Sequence, residues 1–283
     1  MAAHQVDWGK ALRGTIFYKM TGSGNDFVML DGRCVEPDFW SEERITAVCD
    51  RRTGVGADGL VILTPEGDDA VRMVYWNSDG SRAAMCGNAA LCSARLAAYL
   101  EMVQGPELRL LTDAGEVAAR SGPACDTAEI NLPDADMPIA VPELEPTAGE
   151  RWLGYLTVGV PHIVVRVDDI ESVDVAGRGR ALRSAPVLGP AGANVNFVAP
   201  SQNGAWLIRT FERGVEGETL ACGTGTAAAA LALACQGEVD LPVIFRTRGG
   251  PELTVRGTME RSHACNIWLG GQGKLVFRAI WEG

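Results

Sequence analysis

Lysine is scarce in this chain: Lys10, Lys19 and Lys274 are the only three among 25 basic residues. Enzymes that use pyridoxal phosphate hold the cofactor as a Schiff base on a lysine. Lys10 and Lys274 lie near the two ends of the sequence, so few lysines remain for that role. The composition disfavours pyridoxal chemistry without excluding it.

Positive charge and long apolar runs are also in short supply. The chain carries 36 acidic and 25 basic residues, a net charge of −11, and such a surface repels nucleic-acid phosphates and anionic lipid. No apolar run reaches the roughly 18 residues that suggest a membrane-spanning helix. Residues 1–14 lack the apolar core of a secretory signal. We therefore expect no nucleic-acid partner, no membrane partner, a cytoplasmic location and a loose N-terminal extension over residues 1–14.

Metal-ligand and disulfide patterns are missing as well. The eight cysteines form no C-x-x-C pair, and His4, His162 and His263 are too scattered to complete a zinc-ligand pattern. Cysteines in a cytoplasmic chain are most often buried and inert. We expect no bound metal, and we assign six cysteines to packing: Cys34, Cys49, Cys92, Cys125, Cys235 and Cys265.

The chain does have the composition of a folded protein, with 47% apolar and 22% charged residues. Its 283 residues allow one large domain or two of about 140 residues. A short helix is predicted over residues 41–49, with Ser41 as its N-cap. Short apolar stretches bounded by Gly and Pro predict strands over residues 15–18, 27–30, 60–63, 71–76, 153–158, 163–167, 194–198, 206–211, 243–245, 253–255, 266–269 and 275–280.

Three Gly- or Pro-rich stretches separate these elements. Residues 21–26 resemble a ligand-facing turn, and residues 133–150 resemble an interdomain connection or a surface loop. Residues 54–59 match G-x-G-x-x-G, but they precede a strand and do not open a helix, so the dinucleotide-loop interpretation fails. Strands outnumber helices. We predict an α+β fold with mostly antiparallel sheet wrapped on a central helix in each half.

Two stretches of the chain echo each other about half the chain apart. Each has an apolar strand, a polar Gly-containing loop, and then Cys-Gly at the start of an Ala-rich helix, with Cys86 in one copy and Cys222 in the other. The repeat predicts two similar halves. A helix N-terminus favours a thiolate over a thiol, and its free N–H groups can bind a carboxylate. The alternative is that Cys-Gly merely begins two core helices, but two matched copies favour a functional pair.

Two opposed thiols suit the inversion of a carbon stereocentre. One thiolate removes the proton from one face while the other thiol delivers a proton to the opposite face. Glu212 and Arg213 precede Cys222, and an arginine there favours the thiolate and can bind a carboxylate. Surface ion pairing is the alternative for these two residues, and a structural role is the alternative for His162.

Five motifs resemble those of the diaminopimelate epimerase family, in order from about residue 16 to the C-terminus. They are residues 20–28 (MTGSGNDFV), 77–81 (NSDGS), 86–88 (CGN), 159–162 (GVPH) and 212–225 (ERGVEGETLACGTG). The resemblance implies a homodimeric, cofactor-independent enzyme of lysine and peptidoglycan-precursor synthesis that interconverts LL- and meso-diaminopimelate. It also implies an active site in the cleft between the two halves. The halves would be residues 15–130, completed by the final strand 273–283, and residues 131–272.

The same resemblance assigns roles to individual residues. Cys86 and Cys222 match the two acid/base residues, and His162 and Glu212 match residues that assist the protonation balance of the cysteines. The remaining matches are substrate-binding positions: Asn25, Asn77, Asn194, Glu212 and Arg213 for the distal amino-acid end, and Gly87, Asn88, Gly223 and Thr224 for the reacting α-carboxylate.

The sequence also departs from the family pattern. Val160 stands where one form of the pattern has Asn, Gly59 stands where another has Gln, and Glu216 is an extra residue in the loop before Cys222. The departures concern distal-end specificity more than reaction type. Two alternatives therefore stay open: a racemase or epimerase of proline, hydroxyproline, histidine or glutamate, and a non-catalytic binding module on the same scaffold.

Overall fold

The computed structural model describes residues 12–122 and 124–282, which form two compact units. Unit 1 takes its residues from Met1–Ile130 and Gln272–Gly283, and unit 2 consists of Asn131–Gly271. Within the described ranges, no helix is both long enough and apolar enough to cross a membrane.

Most of the N-terminal extension expected over residues 1–14 lies outside the described residues. Residues 12–14, however, are not loose. The Leu12 side chain is buried in unit 1, and the Gly14 amide donates to the Trp281 carbonyl at 2.8 Å. The apolar side chain at position 12 gains more from burial than it loses in chain freedom.

Unit 1 is a sheet that surrounds one helix. Its strands are β1 (Ile16–Gly22), β2 (Asn25–Asp31), β3 (Gly59–Pro65), β4 (Ala70–Asn77), β5 (Arg82–Ala83), β6 (Glu107–Thr112), β7 (Gly115–Ser121), β8 (Thr127–Leu132) and β18 (Lys274–Ile280); its helices are α1 (Glu42–Cys49) and α2 (Gly87–Tyr99). The sheet runs β18-β1-β2-β3-β4-β6-β7-β8, and it is antiparallel except for the β2–β3 and β4–β6 pairs. The short β5 pairs with β4.

Unit 2 repeats that topology. Its strands are β9 (Ala135–Asp136), β10 (Glu150–Val158), β11 (Val160–Val167), β12 (Asn194–Pro200), β13 (Trp206–Glu212), β14 (Gly217–Thr219), β15 (Val243–Arg246), β16 (Glu252–Met259) and β17 (His263–Gln272); its helices are α3 (Val175–Arg183) and α4 (Gly223–Cys235). Strands β10 to β17 pair in the order β10-β11-β12-β13-β15-β16-β17, with parallel pairs at β11–β12 and β13–β15. Two repeated halves of sheet-dominated α+β structure are confirmed.

Helices α2 and α4 are the centres of their units because they bury almost every face. Residues 88–94 of α2 and 225–233 of α4 are buried without a break, and both helices are rich in small residues, alanine above all. Small side chains let strands approach from all sides, whereas an amphipathic helix would bury one stripe only. Helix α1 packs instead on the opposite side of the unit 1 sheet, through Ile45 and Val48.

Some local expectations were wrong. The turn expected over residues 21–26 shrinks to Ser23 and Gly24, because β1 and β2 pair as far as Gly22 and Asn25. Both turn residues have positive φ, 47° and 110°, which is the geometry of a tight two-residue hairpin. Strands β6, β7 and β8 and helix α3 were missed, and the stretch 133–150 contains β9. Ser41 is confirmed as the N-cap of α1, accepting from the Arg44 amide at 3.4 Å.

Candidate active site

The two repeated cysteines occupy the same place in their units. Cys86 is the N-cap of α2 and Cys222 is the N-cap of α4, and both have extended backbone, with φ −141° and −132°. Each helix has 13 residues, so each N-terminus presents unpaired N–H groups and the positive end of a helix dipole. That placement stabilises a thiolate at the cap and an anion beside it.

The other six cysteines differ from this pair. Cys49 and Cys92 are buried, and burial raises the pKa of Cys49 to about 11 and the pKa of Cys92 still higher. Both therefore remain thiols at neutral pH. The packing assignment was wrong for Cys34, Cys125 and Cys235, which are exposed. Cys34 and Cys125 lie in turns, and Cys235 is the last residue of α4. At such positions the path of the backbone, and not the residue type, determines whether a side chain is buried.

Cys265 belongs to an exposed hairpin cluster. Its thiol donates to the Glu260 carboxylate at 3.6 Å, and the His263 ring lies 3.5 Å from the same carboxylate. Ligand atoms of all three residues lie within 4.8 Å of one another. The spacing of the histidines in the sequence indicated that His263 has no other potential metal ligand nearby. The structure instead places Glu260 and Cys265 beside it.

Unit 1 brings two of the predicted asparagines into contact. Asn88 lies in the first turn of α2. Its side-chain Nδ2 donates to Asn25 Oδ1 at 2.7 Å, and Asn25 Nδ2 donates to Asp58 Oδ2 at 2.9 Å. Asn88 Oδ1 is buried and has no hydrogen-bond partner within the described residues. An unpaired buried amide oxygen is costly, so this one marks a position that a donor group would satisfy.

Asn77 lies at the end of β4, opposite Gly59 of β3. Its Oδ1 accepts from the Tyr75 hydroxyl at 2.9 Å, and its Nδ2 donates to Ser81 Oγ at 3.1 Å. A Cβ atom on Gly59 would lie 2.5 Å from the Trp76 carbonyl oxygen, 2.6 Å from the Tyr75 ring edge and 3.2 Å from the Tyr75 hydroxyl. The Trp76 backbone and the Tyr75 ring therefore together occupy the space that a side chain at position 59 would take, and no sequence motif pointed to Tyr75.

A charged network supports this part of unit 1. Asp26 pairs with Lys19 Nζ at 2.5 Å and with Arg51 Nη2 at 2.6 Å, and Arg51 also reaches Asp58 at 2.8 Å. Burial opposes ionisation of Asp26, but hydrogen bonds from Arg51 and Lys19 outweigh it and lower the pKa of that carboxyl to about 2. The network holds Asp58, which in turn accepts from Asn25.

The Asp26 network predicts a pH-dependent stability difference. Asp26→Asn leaves the nearly buried Lys19 cation without its carboxylate, and we expect a loss of about 1–3 kcal/mol at pH 7, reduced by partial solvent screening. The folded pKa of about 2 lies below the unfolded value of 3.8, so the stabilisation is present above pH 4 and fades as the pH falls toward 2.

Urea unfolding of the wild type and of Asp26→Asn at pH 7 and pH 3 measures this difference. Asp168→Asn is the matched control, since Asp168 forms an ion pair with Arg151 in which both side chains are more than half exposed. We expect little change from the control at either pH. A deficit for Asp26→Asn that is equal at pH 7 and pH 3 would refute the linkage.

Unit 2 gathers a second polar group around β11 and β12. His162 is opposite Asn194 in the parallel register, and Asn194 Oδ1 accepts from the Arg213 amide at 2.8 Å. His162 is fully buried; this burial, with a smaller contribution from Arg213, lowers its pKa to about 3. The His162 ring is therefore neutral at physiological pH. Burial also raises the pKa of the Glu212 carboxyl.

The two departures in unit 2 lie beside or within turns: Val160 is the first residue of β11, and Glu216 lies between β13 and β14. Gly159, with φ 67°, makes the tight turn before Val160, and a Cβ on it would lie 4.0 Å from the Thr224 methyl in the first turn of α4. The extra residue Glu216 takes a left-handed φ of 56° in the turn between β13 and β14. Its carboxylate accepts from Arg183 at 2.8 Å, and the β13–β14 pairing beside it has no register shift.

The repeated sheet-and-helix units, each with a cysteine at the start of its central helix, define a class of two-unit α+β proteins. A Bacillus anthracis phenazine biosynthesis protein of the PhzF family shares the fold, with a TM-score of 0.69 and 13% identity over 94% of this chain and 98% of that one. A probable proline racemase from Agrobacterium radiobacter does so with a TM-score of 0.61 and 17% identity, over 94% and 92%.

The sequence comparisons are more specific. A family model described as diaminopimelate epimerase matches residues 17–123 and 154–262. Diaminopimelate epimerase from Gemmatimonas aurantiaca is 45% identical over 94% of this chain and 99% of its own length, and the Aquifex aeolicus protein of that name is 40% identical over 84% and 88%. The chain belongs to the diaminopimelate epimerase family.

Proposed function

We propose that this protein is an isomerase that interconverts LL- and meso-diaminopimelate by proton removal and return at Cα, without a cofactor. The observation that carries the proposal is the family membership over most of the chain, together with a cysteine at the N-terminus of each central helix. The substrate comes from the relatives' names; the chemistry comes from the two caps.

Cys86 and Cys222 are proposed as the two acid/base groups, one on each face of the reacting carbon. In one direction the first is a thiolate that takes the Cα proton while the second, as a thiol, donates its own proton to the opposite face. The roles reverse for the return reaction. Their sulfurs end with exchanged protonation states, so no net proton is consumed.

The reacting carboxylate is proposed to bind the helix N-termini. Gly87 and Asn88 in α2, and Gly223 and Thr224 in α4, supply backbone N–H groups that have no partner in the helix ladder. Charge builds on the carboxylate as the Cα proton leaves, and donors aimed at it contribute about 10²–10³ each in rate. This stabilisation of the developing charge allows a thiolate to remove the weakly acidic Cα proton.

The distal amino-acid end is proposed to bind polar groups outside the helix termini: Asn25, Asn77, Asn194, Glu212 and Arg213. The contact between Asn88 and Asn25 links the carboxylate site to this set within unit 1. A substrate with a second charged end has use for these groups, whereas proline does not. This favours diaminopimelate over the other amino acids as substrate.

The protein is also proposed to be a cytoplasmic homodimer, and both features rest on the family resemblance. Sedimentation of the purified protein tests the dimer. A monomer at all concentrations would refute the dimer.

The proposed activity is tested by incubating the reduced protein with LL-diaminopimelate and separating the stereoisomers by chiral chromatography. We expect conversion to an LL/meso mixture without added pyridoxal phosphate or metal. Proline, hydroxyproline, histidine and glutamate are run in parallel. Racemisation of one of these, with none of diaminopimelate, would replace the substrate; inertness toward all would support the binding-module alternative.

Tyr75→Phe tests the distal site. The variant removes the donor that orients the Asn77 carboxamide, and one hydrogen bond of about 0.5–1.5 kcal/mol corresponds to a roughly 2- to 10-fold rise in KM with kcat largely retained. Tyr18→Phe is the matched control, since Tyr18 is a buried tyrosine of the same unit that packs against Tyr99. Equal KM values for Tyr75→Phe and the wild type would separate Tyr75 from substrate binding.

A further inference from the structure

Asn196 lies among the proposed site residues of unit 2, although no sequence motif pointed to it. It follows Asn194 by two positions in β12, so both side chains project from the same face of the strand. Asn196 is fully buried. Buried amides persist where their hydrogen bonds are satisfied, and each polar atom of this one is.

The orientation of the Asn196 carboxamide follows from its neighbours. Nδ2 lies 3.1 Å from the Ile163 carbonyl oxygen, which can only accept. Oδ1 accepts from the Thr210 hydroxyl at 3.0 Å. The flipped amide would place two acceptor oxygens 3.1 Å apart, so the nitrogen must face Ile163.

That orientation determines where His162 carries its proton. The second hydrogen of Asn196 Nδ2 points to His162 Nδ1, 3.2 Å away, so Nδ1 must be the acceptor. A neutral imidazole has one N–H, and it is therefore on Nε2. Nε2 is buried, and no hydrogen-bond partner for it exists within residues 12–122 and 124–282, which leaves a buried donor available.

Asn196 also lies near Cys222. A Cβ atom on Gly225, in the first turn of α4, would be 2.1 Å from Asn196 Oδ1 and 3.2 Å from Cys222 Sγ. The carboxamide and the sulfur thus both lie close to the same point. Asn196 therefore contacts the His162 imidazole and lies against the first turn of α4.

We propose that Asn196 is a positioning residue that holds His162 in the Nε2–H tautomer, so that His162 serves the reaction as a hydrogen-bond donor and not as a base. The catalytic half of this statement rests on the proposed function; the tautomer does not. With Nδ1 occupied and Nε2 protonated, the ring has no free lone pair to take a proton. It can stabilise an anion, such as a thiolate or a substrate carboxylate, by donating from Nε2.

The tautomer is measured by NMR of the protein labelled with ¹⁵N in its histidines. The chain has three histidines, and the signals lost in His162→Gln identify this one. At pH 7 we expect a pyrrole-type shift at Nε2 and a pyridine-type shift at Nδ1. A pyrrole-type Nδ1 in the wild type would overturn the proposal outright, with no need for a further variant.

Asn196→Asp then tests the cause. An ionised aspartate has the shape of asparagine but cannot donate, so we expect the Nδ1–H tautomer to appear and kcat to fall at least 10-fold with a smaller change in KM. Thr210→Val is the matched control, because it removes a contact to the same carboxamide while leaving both Nδ2 donations; it should retain the wild-type tautomer. Retention of the Nε2–H tautomer in Asn196→Asp would show that Asn196 does not set it.

The two claims fail separately. If the wild type shows the Nε2–H tautomer and Asn196→Asp changes it, but the wild type catalyses no epimerisation, the positioning by Asn196 stands and the catalytic half of the proposal is overturned. If the wild type epimerises diaminopimelate and Asn196→Asp changes the tautomer without lowering kcat, His162 donates no hydrogen bond that the reaction uses.

Discussion

Replacing either Cys86 or Cys222 with alanine should abolish epimerisation. Inversion needs one group to remove the proton and another to return it on the opposite face, so the loss of either thiol stops the full cycle. A positioned general acid or base contributes about 10²–10⁴ in rate, and we expect at least that loss in kcat for each variant. Because the two groups act as one unit, the double variant should be little worse than either single one.

Cys235→Ala is the matched control for Cys222→Ala. Cys222 precedes helix α4, whereas Cys235 is its last residue and is exposed, at the end of the helix away from the proposed site. We expect full activity from the control and unchanged circular dichroism from all three. A Cys86→Ala or Cys222→Ala variant that keeps more than a tenth of the wild-type kcat would exclude that thiol as an obligatory base.

Gly225→Ala should destabilise the folded protein, because a methyl group at position 225 has no free space. The new Cβ would lie 2.1 Å from Asn196 Oδ1, and that carboxamide is held by Ile163, Thr210 and His162. Overpacking a buried site costs about 1–3 kcal/mol. Alanine in a helix recovers up to roughly 1 kcal/mol relative to glycine, so we expect a net loss of up to about 2 kcal/mol.

The repeat makes this prediction specific. The corresponding third position of α2 is Ala89, so alanine itself is compatible with a central helix of this fold; the carboxamide beside α4 is what excludes it. Gly217→Ala is the control, since no heavy atom lies within 4 Å of a Cβ there. Urea unfolding compares the two. A Gly225→Ala protein as stable as the control would mean that Asn196 moves easily, which would also weaken the inference about His162.

The repeat was the part of the fold most accessible from the sequence. Two Cys-Gly junctions before alanine-rich stretches predict two central helices, because side chains that small allow burial on all sides. Apolar stretches bounded by Gly and Pro located most strands. The missed elements carry weak local signals: α3 contains two glycines, and β7 has an exposed, polar pattern. Their structure comes from packing against neighbouring strands rather than from local propensity.

The site was predicted only in part, for a related reason. Residues in motifs beside glycine, such as Asn25 and Asn88, could be recognised, and the structure shows those two in contact. Asn196 and Tyr75 could not, since their importance lies in a partner on another strand. The one available signal for Asn196 was its spacing of two residues from Asn194 within a predicted strand. The proximity of Tyr75 to Gly59 is visible only once β3 and β4 are paired.

The most direct test of the two-thiol proposal is the fate of the Cα proton in D₂O at low conversion of LL-diaminopimelate. If two groups act from opposite faces, the meso product carries deuterium at the inverted carbon, delivered by a thiol equilibrated with solvent, while recovered LL substrate keeps its proton. Mass spectrometry of the separated isomers measures both. Product without deuterium, or equal deuterium in product and recovered substrate, would indicate a single base and contradict the assignment of Cys86 and Cys222 as a pair.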